Sequence, residues 1–427
     1  MLPLLSRPDP APGSAARRPL SLLLCATFCA AVGNGISIVA FPWLVLQHNG
    51  SAVDASIVAA AAALPPLISV LLAGTAVDFL SRRRISMLSD ILSGATVAAV
   101  PLVVIAFGAQ ALGVAVLAIA AALGAAFDPA GITARESMLP EAADQAGWTL
   151  DRANGLYEAT FNVGYIVGPG LGGLLIATIG GIDTMWFTAA TFAASILFVW
   201  MLRLEGAGPP VGNERPTQVW AGIAEGLKFV WNVRILRTLA LINLAIAGLF
   251  VPMEAVLFPK YFADRNEPAQ LGWVLMALSV GALGGALAYP VLLHRATRRA
   301  ILLIGTLTLG VCTAAFAFLP PTAVILLLSA IVGLACGPIQ PIYNYVMQTK
   351  APQHLRGRVI GAMTSLAYAA GPLGFMIAGP LVDGFGLQVT FAALAIPMLS
   401  IGLLLMRLPS LHELKRPELS PVGPVRG

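Results

Sequence analysis

No feature constrains this chain more than its succession of apolar runs of about 20 residues, the length a helix needs to cross a hydrocarbon layer. Six fall near 21–47, 54–77, 85–108, 111–134, 154–178 and 184–204, and six more near 236–258, 270–293, 300–319, 322–346, 358–382 and 388–408. In lipid every backbone amide must find a partner within its own segment, so runs of this length predict helices. Composition agrees: 58% of residues are hydrophobic and 11% are charged, against ~25% charged in a soluble chain. A water-soluble enzyme is excluded. The expected fold is an all-α polytopic membrane protein with twelve transmembrane helices.

The excess of positive charge, +5 over 427 residues, is too small and too scattered for a nucleic-acid partner. Cys25, Cys29, Cys312 and Cys336 lie in apolar stretches without metal-ligand spacing and read as small core residues. No metal and no cofactor are expected. Arg17 and Arg18 before the first run imitate a secretory leader, but the run is long and eleven follow, so it reads as an uncleaved span.

Loop charge sets orientation. With the N-terminus inside, every one of the 25 Lys and Arg residues except Lys260 and Arg265 falls on the cytoplasmic side. An even number of spans then puts both termini in the cytoplasm, across a plasma (inner) membrane. The expected organisation is an N-terminal tail (1–20), a six-helix bundle (21–204), a cytoplasmic linker (205–235), a second bundle (236–408) and a C-terminal tail (409–427). The linker is rich in Gly, Pro and charge. Within it Val219, Trp220, Ile223, Leu227, Val230 and Trp231 recur at helical spacing, which predicts an amphipathic helix on the membrane surface.

An internal repeat supports two pseudo-symmetric halves. Tyr165, Gly168 and Pro169 match Tyr368, Gly371 and Pro372 at one constant offset, and Pro129 and Pro140 correspond to Pro341 and Pro352. Two six-span halves related by an axis along the membrane normal are the plan of a rocker-type transporter, with the site between them.

Two stretches suggest moving parts. After span 2 come Gly74, Asp78, Arg82, Arg83 and Arg84. A carboxylate near a helix C-terminus is unfavourable unless a cation or a facing helix N-terminus neutralises it, so Asp78 suits a latch made in one conformation only. Arg356 and Arg358 stand before span 11. Span 5 carries Gly164, Gly168 and Gly172 at intervals of four, with Pro169 and Gly173 beside them. Such a groove admits another helix at backbone distance and bends at the proline. Gly281 and Gly285 of span 8 offer a matching stripe. Trp43, Trp186 and Trp273 near span ends read as interfacial anchors.

Carboxylates inside spans are costly and therefore functional candidates, ~2.5–3.5 kcal/mol each at mid-bilayer. Glu254 in span 7 is the first choice for loading and releasing a proton, and pairing with Lys260 is the competing reading. Glu158, one turn into span 5, and Asp128, before Pro129 in span 4, complete the proton-coupling candidates. Span 4 is read as lacking a membrane-embedded arginine. Asn34 in span 1 cannot carry a proton.

These residues give the chain a resemblance to the major facilitator superfamily. Gly74 to Arg84 is similar to that family's loop 2/3 signature, with Phe79 and Ser81 where Arg and Gly are usual. Gly164–Gly173 (GYIVGPGLGG) matches its antiporter signature GxxxGPxxGG throughout. More narrowly the chain resembles Tap-like multidrug efflux pumps of mycobacteria, in AFPWLVLQ (40–47), LFPKYF (257–262) and GPIQPIYNYVMQT (337–349). The resemblance implies Asp90 as the acidic partner of a charge relay with Gly74, Asp78, Arg82, Arg83 and Arg356. It also implies a cavity lined by spans 1, 4, 7 and 10, nominating Asn34, Phe41, Asn243, Phe250, Gln340, Tyr343 and Asn344. The implied activity is proton-driven export of small-molecule drugs such as tetracyclines and aminoglycosides by a monomer, with a dedicated exporter of one physiological solute as the alternative. No catalytic motif points to an enzyme.

Overall fold

The computed structural model describes residues 14–79, 81–204, 216–352, 355–408 and 411, and all regular structure among them is helical. The first half comprises α1 (Ser14–Asn49), α2 (Ala52–Phe79), α3 (Arg82–Phe107), α4 (Val114–Ala125), α5 (Asp128–Gln145), α6 (Leu150–Ile179) and α7 (Gly181–Met201). α8 (Pro216–Asn232) leads into α9 (Arg234–Pro252), α10 (Phe258–Ala263), α11 (Pro268–Arg295), α12 (Arg298–Phe316), α13 (Thr322–Cys336), α14 (Ile339–Lys350) and α15 (Arg356–Arg407). Several of these join end to end into single passes: α4 with α5, α9 with α10, and α13 with α14. α15 contains two passes, because Gly386 breaks it with φ 81° and ψ 170°. Gly180 makes the corresponding turn between α6 and α7 with φ 90°. Side chains rarely tolerate that backbone region, so glycine sits where the chain must reverse.

The passes form two six-helix bundles. In the first, α1 packs on α6 and α7, and α3 on α7; in the second, α11 packs on α13, and α12 and α9 on α15. The first-half core centres on Trp43 and Phe192, both essentially without solvent contact. In the second, Phe258, Phe316 and Phe391 stack with centroids 5.2–6.0 Å apart. Such aromatic contacts contribute ~0.5–1.5 kcal/mol each beyond area burial.

Two packing expectations change. Trp43 is a buried core residue rather than an interfacial anchor, whereas Trp186 and Trp273 are exposed on their helices. Cys25 is exposed, unlike buried Cys312. The expected linker helix exists as α8, which packs on α15 through buried Val230 while Leu227 and Trp231 stay exposed. Val219, Trp220 and Ile223 have side chains outside the described residues.

Candidate functional site

The bundles meet along two seams. α6 of the first half lies on α11 of the second, and α2 lies on α15. Glycine makes the first seam close: a Cβ on Gly173 would stand 3.0 Å from the Gly272 Cα and would overlap the Pro268 carbonyl oxygen. Gly379 similarly admits Ser56 of α2. Beyond it, the Asp383 carboxylate accepts hydrogen bonds from the Ser51 hydroxyl (2.8 Å) and the Ala52 and Val53 amides (2.9 Å each). These contacts all lie toward the ends of the passes remote from Arg82–Arg84 and Arg295–Arg299, here called the closed face.

Between the seams is a cavity of about 520 Å³. Its wall comes from α1, α2, α3, the α4–α5 pass, α6, α7, α9 and α15. Phe41, Val58, Val251 and Phe375 make it apolar toward the closed face, and Asn34, Ser93, Asp128, Tyr165 and Tyr368 give it a polar zone midway along the passes. Asp128 accepts a hydrogen bond from the Ser93 hydroxyl at 3.0 Å. The tyrosines that marked the internal repeat, Tyr165 and Tyr368, line this cavity from opposite halves together with Asp128.

Of the nominated cavity residues, Asn34 and Phe41 line this space; Asn243, Phe250, Gln340, Tyr343 and Asn344 do not. α9 contributes Ala247 and Val251, and the π turn that follows it adds Ala255, leaving Phe250 on the neighbouring stripe, partly buried against the core. Asn243 is half-buried one turn before Ala247. Tyr343 is buried in a separate apolar cluster, while Gln340 and Asn344 are exposed and hydrogen-bonded to each other at 3.1 Å.

Among the coupling candidates, Asp128 lines the cavity and Glu158 is exposed on α6 near Glu136. Glu254 is half-buried in a single π-helical turn, Met253–Leu257, that follows Pro252. Proline cannot donate to the preceding turn, and a π turn is one way a helix accommodates that disruption. Lys260 pairs with Asp264 at 2.5 Å rather than with Glu254.

The antiporter stripe packs within its own half. Gly164 meets Ala31, Gly168 lies with its Cβ position 2.7 Å from the Gly35 Cα, and Gly172 meets Ile36, so the stripe beds α6 on α1. Gly173, off that stripe, faces α11. The stripe of span 8 does not answer it: Gly281 and Gly285 pack on Ala330 and Leu334 of α13, and Gly272 is the residue that meets α6.

The basic face carries a different network. Arg82 pairs with Glu141 of α5 at 2.5 Å and donates to the Ser137 carbonyl at 2.8 Å. Arg83 donates to the Val199 and Trp200 carbonyls at the end of α7, and Arg299 repeats this with the Met406 carbonyl at the end of α15. Cations on final carbonyls complement helix dipoles, ~0.3–1 kcal/mol each. Gly74 and Asp78 continue the backbone of α2, but the surroundings of Gly74 and the side chains of Asp78 and Arg356 lie outside what the structure describes.

Asp90 pairs elsewhere. Arg135 Nη1 reaches both carboxylate oxygens of Asp90 at 3.0 Å, and the Ser195 hydroxyl donates to Asp90 Oδ2 at 2.7 Å. Arg135 is 3% exposed and Asp90 2%. The fourth pass thus does carry a buried arginine, correcting the expectation of none. The helix runs on to Gln145, past the end of its apolar run, so an interior arginine looks in sequence like a loop arginine.

A sequence profile of the Major Facilitator Superfamily matches residues 23–375. The chain is 63% identical to the multidrug efflux pump Tap of Mycolicibacterium fortuitum, over 93% of this chain and 97% of that protein. It is 61% identical to the Tap pump of Mycobacterium tuberculosis (strain ATCC 25618 / H37Rv), over 93% and 95%. The solved nucleoside transporter NupG superposes with a TM-score of 0.75 at 14% identity, over 92% of this chain and 98% of that one, a likeness of fold alone. The apolar helical passes in two bundles about a shared cavity, together with these matches, make this chain a non-enzymatic transporter that belongs to the Major Facilitator Superfamily.

Proposed function

We propose that the protein is a proton-coupled multidrug exporter of the plasma membrane, working by alternating access on drugs such as tetracyclines and aminoglycosides. The observation that carries this reading is the one-sided closure of the central cavity by Gly173 on Gly272 and by Asp383 on the start of α2. Both contacts join different halves, so a relative rotation that breaks them would open the closed face. The arginine distribution supports a cytoplasmic basic face and cytoplasmic termini. On this reading the closed face is the outer one and the cavity loads from the cytoplasm. High identity to Tap pumps supports drug efflux as the activity.

Asp128 in the cavity wall and Glu254, half-buried in the π turn next in sequence to the cavity-lining Ala255, are the carboxylates assigned to proton exchange; exposed Glu158 is assigned a surface role. The test uses inverted membrane vesicles with a preformed pH gradient followed by a pH-sensitive dye. Partial collapse of the gradient on adding tetracycline or an aminoglycoside, only when the protein is present, supports coupled export. Drug accumulation without proton movement would overturn proton coupling, and absence of both would overturn multidrug export.

A further inference from the structure

The closed face carries a depression of about 470 Å³ between α10 and the Gly386 bend of α15, where Lys260, Asp264, Arg265 and Asp383 stand together. All four belong to the second bundle. Phe258 of α10 packs on Phe391 of α15 with centroids 6.0 Å apart, which ties the two elements to one another. The start of α2, which Asp383 caps in this structure, belongs to the other bundle.

Asp383 keeps its charge in this arrangement. Burial works against it, but the Val53 and Ala52 amides, the Ser51 hydroxyl and the Lys260 ammonium outweigh burial and hold the carboxyl below the ordinary carboxylate range. A rotation that separates the bundles takes the two amides and the hydroxyl away together, while Lys260 travels with Asp383. Both carboxylate oxygens are then vacated, and a cation able to reach them gains a charge-assisted hydrogen bond.

Two cations stand beside it. Arg265 is committed to Tyr261, stacking on the ring at 3.6 Å and donating to the Tyr261 carbonyl at 2.9 Å. Lys260 pairs with exposed Asp264 at 2.5 Å, one turn on in sequence. An exposed pair at that spacing contributes little, because water and salt screen it, and the lysine stem is flexible. Asp54, in the first turn of α2, is a further anion and leaves with α2.

We propose that Lys260 is a positioning residue of the transport cycle: when the closed face opens, Asp383 exchanges the first turn of α2 for the Lys260 ammonium, which swings from Asp264. The inference rests on the alternating-access reading and names the group that receives the charge. Exchanging a partner in the other bundle for one in the same bundle offsets part of the cost of opening, so the two states stay close enough in energy for both to be visited.

The test is the rate at which a membrane-impermeant maleimide labels Ala62→Cys, a position in the cavity wall, in the full-length protein with its four native cysteines replaced by alanine. Right-side-out vesicles present the closed face on the orientation above, and labelling there scales with the population open to that face; rapid labelling in inverted vesicles reports folded protein. Lys260→Met should slow closed-face labelling about threefold, Lys260→Arg should stay within about twofold of the wild type, and Asp264→Asn, which frees Lys260, should speed it about twofold. In an Asp383→Asn background Lys260→Met should change nothing, because the carboxylate it serves is gone. Unchanged or faster labelling in Lys260→Met overturns the exchange, and so does equal slowing in the Asp383→Asn background, which would mark Lys260 as a packing residue. If Asp383→Asn speeds labelling while Lys260→Met is inert, the exchange falls and alternating access stands; closed-face labelling absent from the wild type and every variant rejects both.

Discussion

The Asp383 carboxylate accepts the Ala52 amide at 2.9 Å, so a residue of the second bundle caps the first turn of a helix in the first. An N-terminal cap normally comes from the residue before the helix. Here Ser51 holds that place, and its hydroxyl is itself hydrogen-bonded to Asp383. Ser51 Oγ also accepts the amide of Asp54 in the helix it caps, at 3.2 Å, so it is the part of the cap supplied by Asp383 that exists only while the closed face is closed.

Asp383→Ala should remove a stabilisation of ~0.5–2 kcal/mol from the closed face alone, shifting the conformational balance about two- to thirtyfold. Spin labels at Val53 and Gly384 would read it as a larger population of long distances. An unchanged distance distribution would show that the cap does not contribute to the balance.

At the other seam, Gly173→Val should prevent α6 from seating on α11, since even a Cβ overlaps the Pro268 carbonyl. Overpacking of this kind costs ~1–3 kcal/mol. Transport should fall at least tenfold with expression and monodispersity preserved, and a cysteine placed in the cavity should become accessible from the closed face. Gly281→Ala, which overlaps the Ala330 carbonyl inside the second bundle, should instead lower thermal stability.

Arg135→Ala should destabilise the first bundle by ~3–5 kcal/mol, the cost of leaving a buried partner unpaired. The unpaired group is Asp90, which would keep only hydroxyl donors such as Ser195. The double variant Asp90→Asn, Arg135→Gln should lose less than Arg135→Ala. Thermal unfolding in detergent measures both, and an equal or greater loss in the double variant would contradict the pairing argument.

Glu254→Gln removes a proton-binding group from the π turn while keeping its size. Drug-induced proton movement in vesicles should disappear, with downhill drug flux retained within about twofold. Full coupled transport by this variant would remove Glu254 from the coupling mechanism and leave Asp128 as its carrier.

The apolar runs by themselves determined the membrane solvent, the all-helical backbone and the number of passes, because these follow from length and composition along a single segment. The repeat from Tyr165 to Tyr368 likewise announced two related halves, and the antiporter stripe announced a close helix contact. Which helix fills that contact is not a property of the stripe. Gly164, Gly168 and Gly172 bed on α1, whereas one residue on, Gly173 turns to α11, a difference of one helical position that only the three-dimensional packing of the bundles assigns. The partners of buried Arg135 and exposed Asp383 were equally illegible. Both stand near the ends of apolar runs, where a charge reads as solvated, and only tertiary neighbours reveal that one is paired inside a bundle and the other caps a helix of the opposite half. Hydropathy is a sum over neighbours in sequence; the partner that neutralises a charge is a neighbour in space.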